Sequence, residues 1–290
     1  MLMRSVLSLL AAVIMAAASP VQAADRYFRT SDGIRLHYIE AGRGHTIVLV
    51  PGWTMPAWIW SAQIADFSRS FHVVAFDPRS QGDSQLTAYG DEPFRRGQDI
   101  AELIAQLPPE PVLLVGWSLG VLDSLAYLHE HGDARVAGLV LIDNSVGEDP
   151  APLPEAQRRP RSLGPRRLPR PVLRADVVRA FARGMFVHAQ SLNYIDRLTE
   201  AMLHTPEPVA AELLAYPVPR TFWRESIYST SRPILYIVRP GLAGQAANLA
   251  AHDPAAQSVV LTGVGHAMFV DNPTQFDALL ADFIRRRLWR

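Results

Sequence analysis

The chain has 290 residues, 49% apolar and 19% charged. That is enough chain and enough apolar content for one large domain with a substantial core. Its 28 basic residues, every one an arginine, balance 28 acidic ones, so no global charge draws it to nucleic acid or to an anionic membrane.

Cysteine is absent, which excludes disulfides, a thiol nucleophile and lipid attachment at a leader cysteine. The first two dozen residues read as a leader. Arg4 is the only charge before Asp25, Val6 to Ala18 is almost wholly apolar, and Val21-Gln22-Ala23 offers small residues around a cut after Ala23. This is the pattern of a secretory signal peptide over residues 1–23, with a periplasmic or secreted product expected. The apolar run falls short of the roughly 20 residues needed to span a bilayer, so no stable membrane anchor is expected.

From Ala24 onward, short β-branched runs alternate with helical stretches. Arg35 to Ile39 and Thr46 to Val50 read as strands, Pro56 to Phe67 as a helix, and His72 to Phe76 as a strand. Pro93 to Leu107 has helical spacing and is stopped by Pro108-Pro109. Val112 to Val115 is an unbroken apolar run, the mark of a strand buried on both faces. Leu119 to His129 reads as a helix and Val136 to Ile142 as another buried strand. The alternation predicts a mostly parallel sheet with helices on both faces.

The pattern then breaks. From about residue 147 to 231 there are no buried strand runs. That stretch opens with Pro- and Arg-rich sequence, Pro150 to Pro171, and continues with helical segments at Ala175 to Ala189 and Tyr194 to Leu203. It is too long for a connection and reads as a helical cap inserted in a single domain of residues 24–290. The α/β pattern resumes at Pro233 to Val238 and Ser258 to Leu261, and closes with a helix from Pro273.

Gly116-Trp117-Ser118-Leu119-Gly120 carries the chemistry. It matches G-x-S-x-G and lies between a buried strand and a helix, the setting that this nucleophile turn requires. The flanking glycines let strand and helix pass closely, and the helix turns its positive end toward a developing oxyanion. A serine hydroxyl needs a base. Of 9 histidines, His266 stands out, because Thr262-Gly263-Val264-Gly265-His266 is a glycine-rich loop at the end of the last strand. The remaining histidines lie on strands, on helix surfaces or in the cap.

With these motifs in hand, the whole chain after the leader resembles the α/β-hydrolase superfamily. Val50-Pro51-Gly52-Trp53 resembles its oxyanion loop after the third strand, and Asp77-Pro78-Arg79-Ser80-Gln81-Gly82-Asp83-Ser84 resembles its D-x-R-G-x-G-x-S turn. Gly265-His266 followed by Asp271-Asn272-Pro273 resembles its histidine loop. The resemblance implies the α/β-hydrolase fold with the cap after the sixth strand. It implies an oxyanion hole formed by the backbone N–H groups of Trp53 and Leu119. Asp77, Arg79, Gly82 and Ser84 then shape a turn and take no chemical step.

One departure stands out. Most members place the triad acid just after the seventh strand, yet Val238-Arg239-Pro240-Gly241-Leu242-Ala243-Gly244-Gln245 has no carboxylate. Asp143, at the end of Leu141-Ile142-Asp143-Asn144, is the best-placed substitute. Glu148 or Asp149 comes next, and a chain with no acid at all is the remaining alternative. Asp253 reads as part of a surface loop, and Asp271 as the cap of the final helix.

The expected activity is hydrolysis of carboxylic esters, including lactones and aryl esters, through an acyl-enzyme on Ser118 with His266 as base. Trp53, Trp58, Trp60, Trp117, Met268 and Phe269 flank the motifs, and Phe186, Phe222 and Trp223 lie in the cap. If several line the pocket, the substrate is a small hydrophobic ester. The six arginines from Arg158 to Arg170 read as a solvated loop. No H-E-x-x-H occurs and no G-x-G-x-x-G follows a strand, so no metal and no cofactor are expected. Two alternatives share the scaffold: a cofactor-free haloperoxidase or perhydrolase using the same triad, and a catalytically dead binding protein. Dehalogenase and epoxide-hydrolase readings are disfavoured, since those relatives use Asp where this chain has Ser118.

Overall fold

The computed structural model describes residues 22–149, 175–215 and 217–289. The expected leader, apart from Gln22 and Ala23, and the arginine-rich stretch from Arg158 to Arg170 lie outside the described residues.

Eight strands form one sheet. They are β1 (Ala24–Arg29), β2 (Arg35–Ala41), β3 (Thr46–Val50), β4 (His72–Asp77), β5 (Val112–Trp117), β6 (Val136–Ile142), β7 (Ile234–Val238) and β8 (Ala256–Val260), in the spatial order β1-β2-β4-β3-β5-β6-β7-β8. β1 and β2 are antiparallel to their neighbours, and β3 through β8 run parallel. Every residue of β3, β5 and β7 is buried, which is why their sequences are continuous apolar runs.

The two faces of each strand feed two separate cores. Val48, Leu114, Leu139 and Tyr236 join the core beneath α2 (Pro93–Gln106) and α3 (Leu119–His131). Ile47, Leu113, Val140 and Leu235 join the core beneath α1 (Ser61–Phe67) and α10 (Pro273–Phe283). This is the period of two that a pleated strand imposes. Each fully buried aliphatic side chain contributes about 1.5–3 kcal/mol. Truncation of Leu114 to alanine would cost about 2–5 kcal/mol, because its cavity would be lined on both sides.

Among the described residues between β6 and β7 lie four helices: α4 (Ala175–Gly184), α5 (Leu192–His204), α6 (Glu207–Glu212) and α7 (Arg220–Tyr228). α4 and α5 bury Val178, Ala182, Leu198 and Met202 in one cluster. α7 lies over α3, with Phe222 4.3 Å from the His129 ring. α8 (Ala243–His252) follows β7, and a short turn, α9 (Met268–Asp271), precedes α10. No helix among the described residues is long and apolar enough to cross a membrane.

Three local departures from expectation have clear causes. β1 shows no alternating apolar face, since most of its side chains are exposed, and its pairing with β2 alone makes it a strand. The stretch read as helical from Ala175 to Ala189 ends at Gly184, where glycine has low helix propensity. Pro56 to Phe67 divides into a 3₁₀ turn, Ala57–Trp60, and α1.

Candidate active site

The parallel strands all point their carboxyl ends the same way. Strand order reverses between β4-β3 and β5, and ligands in open α/β sheets gather outside such reversals. Five neighbouring strand ends therefore converge here. The loop with Trp53 leaves β3, Ser118 follows β5, Asp143 follows β6, Arg239 follows β7, and the loop with His266 follows β8.

Ser118 has φ 54° and ψ −117°, a conformation that L residues rarely adopt and that costs about 1–3 kcal/mol. Its neighbours hold it there. The Ser118 N–H donates to Ile142 O at 2.9 Å, and Asn144 Nδ2 donates to Ser118 O at 2.8 Å. A side chain at Gly116 would run into Gly120 O, and one at Gly120 into Val50 O, so both flanking positions of the turn require glycine. The Leu119 N–H, first in α3, and the Trp53 N–H donate to no described group. They are therefore free to bind an oxyanion. Beside Trp53, Thr54 is buried with φ 56° and bends the loop around β3.

His266 is one-fifth exposed and is fixed from two sides. Trp117 Nε1 donates to His266 O at 2.9 Å, with ring centroids 5.2 Å apart. His266 Nδ1 lies 2.7 Å from Asp143 Oδ2. Neither His266 Nε2 nor Ser118 Oγ hydrogen-bonds to a described residue. In substrate-free sites that bond is often long and tightens on binding.

Asp143 is nearly buried and, like Ser118, has positive φ, 52°. Its N–H donates to Ile237 O at 2.9 Å, which ties the turn to β7. Burial opposes its ionisation, but hydrogen bonds from His266 and from the Arg239 N–H outweigh burial and hold its carboxyl below the usual range. The Arg239 N–H donates to Oδ1 at 3.0 Å and Arg239 Nε to Oδ2 at 2.5 Å. The sequence reading registered the missing carboxylate after β7 but not the arginine in its place. An arginine directly after the strand-ending Val238 was the available signal.

The other acids lie elsewhere. Buried Glu148 accepts from Tyr228 Oη at 2.6 Å and Asn248 Nδ2 at 2.7 Å, fastening the cap stem to α8. Asp149 pairs with Arg220 at 3.0 Å. Asp271 does not cap the final helix. Asn272 does, accepting from the Gln275 N–H at 3.2 Å, while Asp271 receives the N–H groups of Gly265, Val187 and His188. Those bonds stitch the start of the cap to the His266 loop, as does the Ala267 N–H on Met185 O. Asp253 is buried rather than in a surface loop, because it accepts the Ala255 N–H behind α8.

Most of the flanking aromatics are core. Trp60, Trp117, Met268 and Phe269 are buried, with Trp60 and Phe269 stacked 3.8 Å apart. Phe222 and Trp223 pack under α7. Trp53 borders the site. Its Nε1 donates to Ala210 O in α6 at 2.7 Å, and its ring meets exposed Phe181 of α4 edge-on at 5.4 Å. Phe181 escaped the sequence reading, because one more apolar residue on an amphipathic helix gives no sign of facing a site. Asp77 accepts the N–H groups of Ala57 and Asp83 and pairs with His37, and Arg79 is buried on Asp99, so both side chains are engaged in holding the turn.

A strained serine at a strand–helix turn, with a histidine loop and a carboxylate at neighbouring strand ends, is the arrangement of an α/β hydrolase. The description of the alpha/beta hydrolase family matches residues 47–279, and the chain belongs to that family. A non-heme haloperoxidase of Rhodococcus erythropolis is 32% identical over 117 residues, 40% of this chain and 43% of that protein. That match thus spans under half of the relative. A pimeloyl-[acyl-carrier protein] methyl ester esterase of Vibrio parahaemolyticus is 26% identical over 263 residues, 86% of this chain and 97% of its own. The crystal structure of a bromoperoxidase from Bacillus anthracis superposes with a TM-score of 0.74 at 17% identity, covering 90% of this chain and 100% of that one.

Proposed function

We propose that the protein is a carboxylic-ester hydrolase working through an acyl-enzyme, with Ser118 as nucleophile, His266 as base and Asp143 as the acid that orients it. The observation that carries this reading is the strained Ser118 turn beside a His266–Asp143 pair at 2.7 Å. Ser118 Oγ attacks the acyl carbonyl as its proton passes to His266 Nε2. The N–H groups of Trp53 and Leu119 receive the oxyanion. His266 returns the proton to the departing alkoxide oxygen, and the alcohol leaves. Water then attacks the acyl carbon, giving its proton to His266. The acid is released and Ser118 regains its hydrogen. The apolar edge of Trp53 and Phe181 suits a hydrophobic ester.

The test is a panel of 4-nitrophenyl esters of graded chain length, together with labelling by a fluorophosphonate. Hydrolysis and labelling at Ser118 are expected. A folded protein that does neither would be the dead scaffold instead. The likeness to a haloperoxidase motivates one further assay, halogenation with acetate, peroxide and bromide, in which peroxide would attack an acetyl group on Ser118, releasing peracetic acid that oxidises bromide. We also propose export with a cut after Ala23. β1 begins at Ala24, so that cut removes none of the described strands or helices. N-terminal sequencing of exported protein should begin at Ala24. An intact Met1 in a soluble cytoplasmic pool would argue against it.

A further inference from the structure

The position where most family members carry the triad acid holds a cation in this chain. Arg239 directly follows β7, and two of the three hydrogen bonds received by the Asp143 carboxylate come from it. The main-chain bond goes to Oδ1. The side-chain bond goes to Oδ2, the oxygen that also meets His266. Arg239 Nη2 lies 3.5 Å from His266 Nδ1 itself. The carboxylate thus faces two groups that compete for one oxygen. One is permanently charged, and the other becomes charged when it takes the Ser118 proton.

We propose that Arg239 is a positioning residue for the triad: its guanidinium fixes the Asp143 carboxylate that orients His266, and its charge opposes protonation of the His266 ring. The proposal deepens the hydrolase reading and rests on it for the roles of Ser118 and His266. Two consequences follow from the geometry. An aspartate taken from β6 must reach His266 from a strained turn with positive φ, and the Arg239 main-chain N–H and Nε together hold its carboxylate in place. A fixed cation 3.5 Å from Nδ1 also opposes the positive charge that the ring gains when it takes the Ser118 proton.

Among the described residues, the other groups around the ring leave Arg239 as the nearest cation. On the β6 side stands Asp143. On β7, the Tyr236 hydroxyl is used on Asn144 O at 2.6 Å. From α9, Asp271 is engaged by three main-chain N–H groups. From the cap, His188 Nδ1 lies 3.7 Å from Asp271, on the far side of that carboxylate. Trp117 contributes only an indole N–H to the His266 carbonyl.

Every substitution removes the Nε bond to Oδ2 but keeps the main-chain bond to Oδ1, so comparison of the neutral variants with Arg239→Lys, which keeps the charge, isolates the charge. The decisive measurement is an NMR titration of the His266 ring in the whole protein without substrate. It compares wild type, Arg239→Gln, Arg239→Met and Arg239→Lys, with folding checked by circular dichroism. In the Gln and Met variants the ring should take its proton at a pH higher by about 1 unit. The Lys variant should stay near wild type. The low-pH limb of kcat/KM should move with the NMR midpoint, while KM changes little. A midpoint that stays put in both neutral variants, or moves equally in the Lys variant, would overturn the proposal. The two neutral variants back each other if one fails to fold. The titration needs no turnover, so an inactive wild type would sink the hydrolase reading while leaving the charge effect separately measured.

Discussion

Two arginine–aspartate arrangements in this fold differ in what they leave unused. Under the sheet, Arg96 grips Asp123 through Nε at 2.9 Å and Nη2 at 2.6 Å, and both residues are buried. Arg79 grips Asp99 in the same forked manner at 2.6 and 2.7 Å. Asp123 is consumed by its one arginine, and Asp99 divides its oxygens between Arg79 and Arg95, so both carboxylates are taken up by arginines alone. At the strand ends, Arg239 is 42% exposed and shares the Asp143 carboxylate with His266. The buried pairs fix α2 against α3 and the loop after β4. The open pair holds His266, one-fifth exposed and the base of the proposed mechanism. Function is written in the incomplete pairing, since a carboxylate with oxygen capacity left for a histidine can respond to a proton moving nearby.

The largest test of this contrast is removal of the nucleophile. Ser118→Ala should fold with wild-type stability or slightly better and lose ester hydrolysis by about 10⁶-fold. Wild-type rates in that variant would end the proposed mechanism. Next comes the shared carboxylate. Asp143→Asn should keep the fold and lower kcat by up to roughly 10⁴-fold, since an amide favours the wrong imidazole tautomer. A loss of tenfold or less would make Asp143 a structural aspartate of this strand end. The buried pair should behave in the opposite sense. Asp123→Ala leaves the Arg96 charge without its main partner and should destabilise by about 3–5 kcal/mol in denaturant melts. Its kcat per folded molecule should hold. A stable but inactive Asp123 variant would erase the distinction between the two kinds of pair.

Legibility in the sequence follows the same division. Period and burial reveal the sheet: β3 and β6 have the same limits in sequence and structure, because an inner parallel strand reads as one run of β-branched and apolar residues. β1 was missed, because an edge strand with exposed side chains carries no such signature. The glycines at 116 and 120 give away the serine turn, for only glycine fits against Gly120 O and Val50 O. Side-chain pairing was less legible. Asp143 could be named as the best-placed acid, and it does lie beside His266, but Arg239 could not be assigned to it, because a lone arginine after a strand belongs to no motif that names its partner. Asp271 looked like a helix cap because Asn272, one residue on, carries the same type of signal.

The smallest predicted effect concerns an aspartate that belongs to neither kind of pair. Asp91 is buried, and neither carboxylate oxygen has a hydrogen-bond partner among the described residues. Burial pushes its carboxyl up to about 6, against the pull of Arg96 and Arg79, with Glu212 of α6 and Glu92 pushing the same way as burial. A carboxyl whose folded value lies above its unfolded one, near 4, adds stability that is fully present below the unfolded value. That contribution is lost as pH rises through about 6. Above that pH the fold carries an ionised group that it does not solvate. Asp91→Asn removes the charge and keeps the shape. Its stability should exceed wild type by about 2 kcal/mol at pH 7.5 and approach wild type near pH 3.5. The check is a pair of melting curves for each protein at the two pH values. An equal gain at both would mean that the amide acts through packing, and a loss at pH 7.5 would mean that the Asp91 charge is needed to balance Arg96 after all.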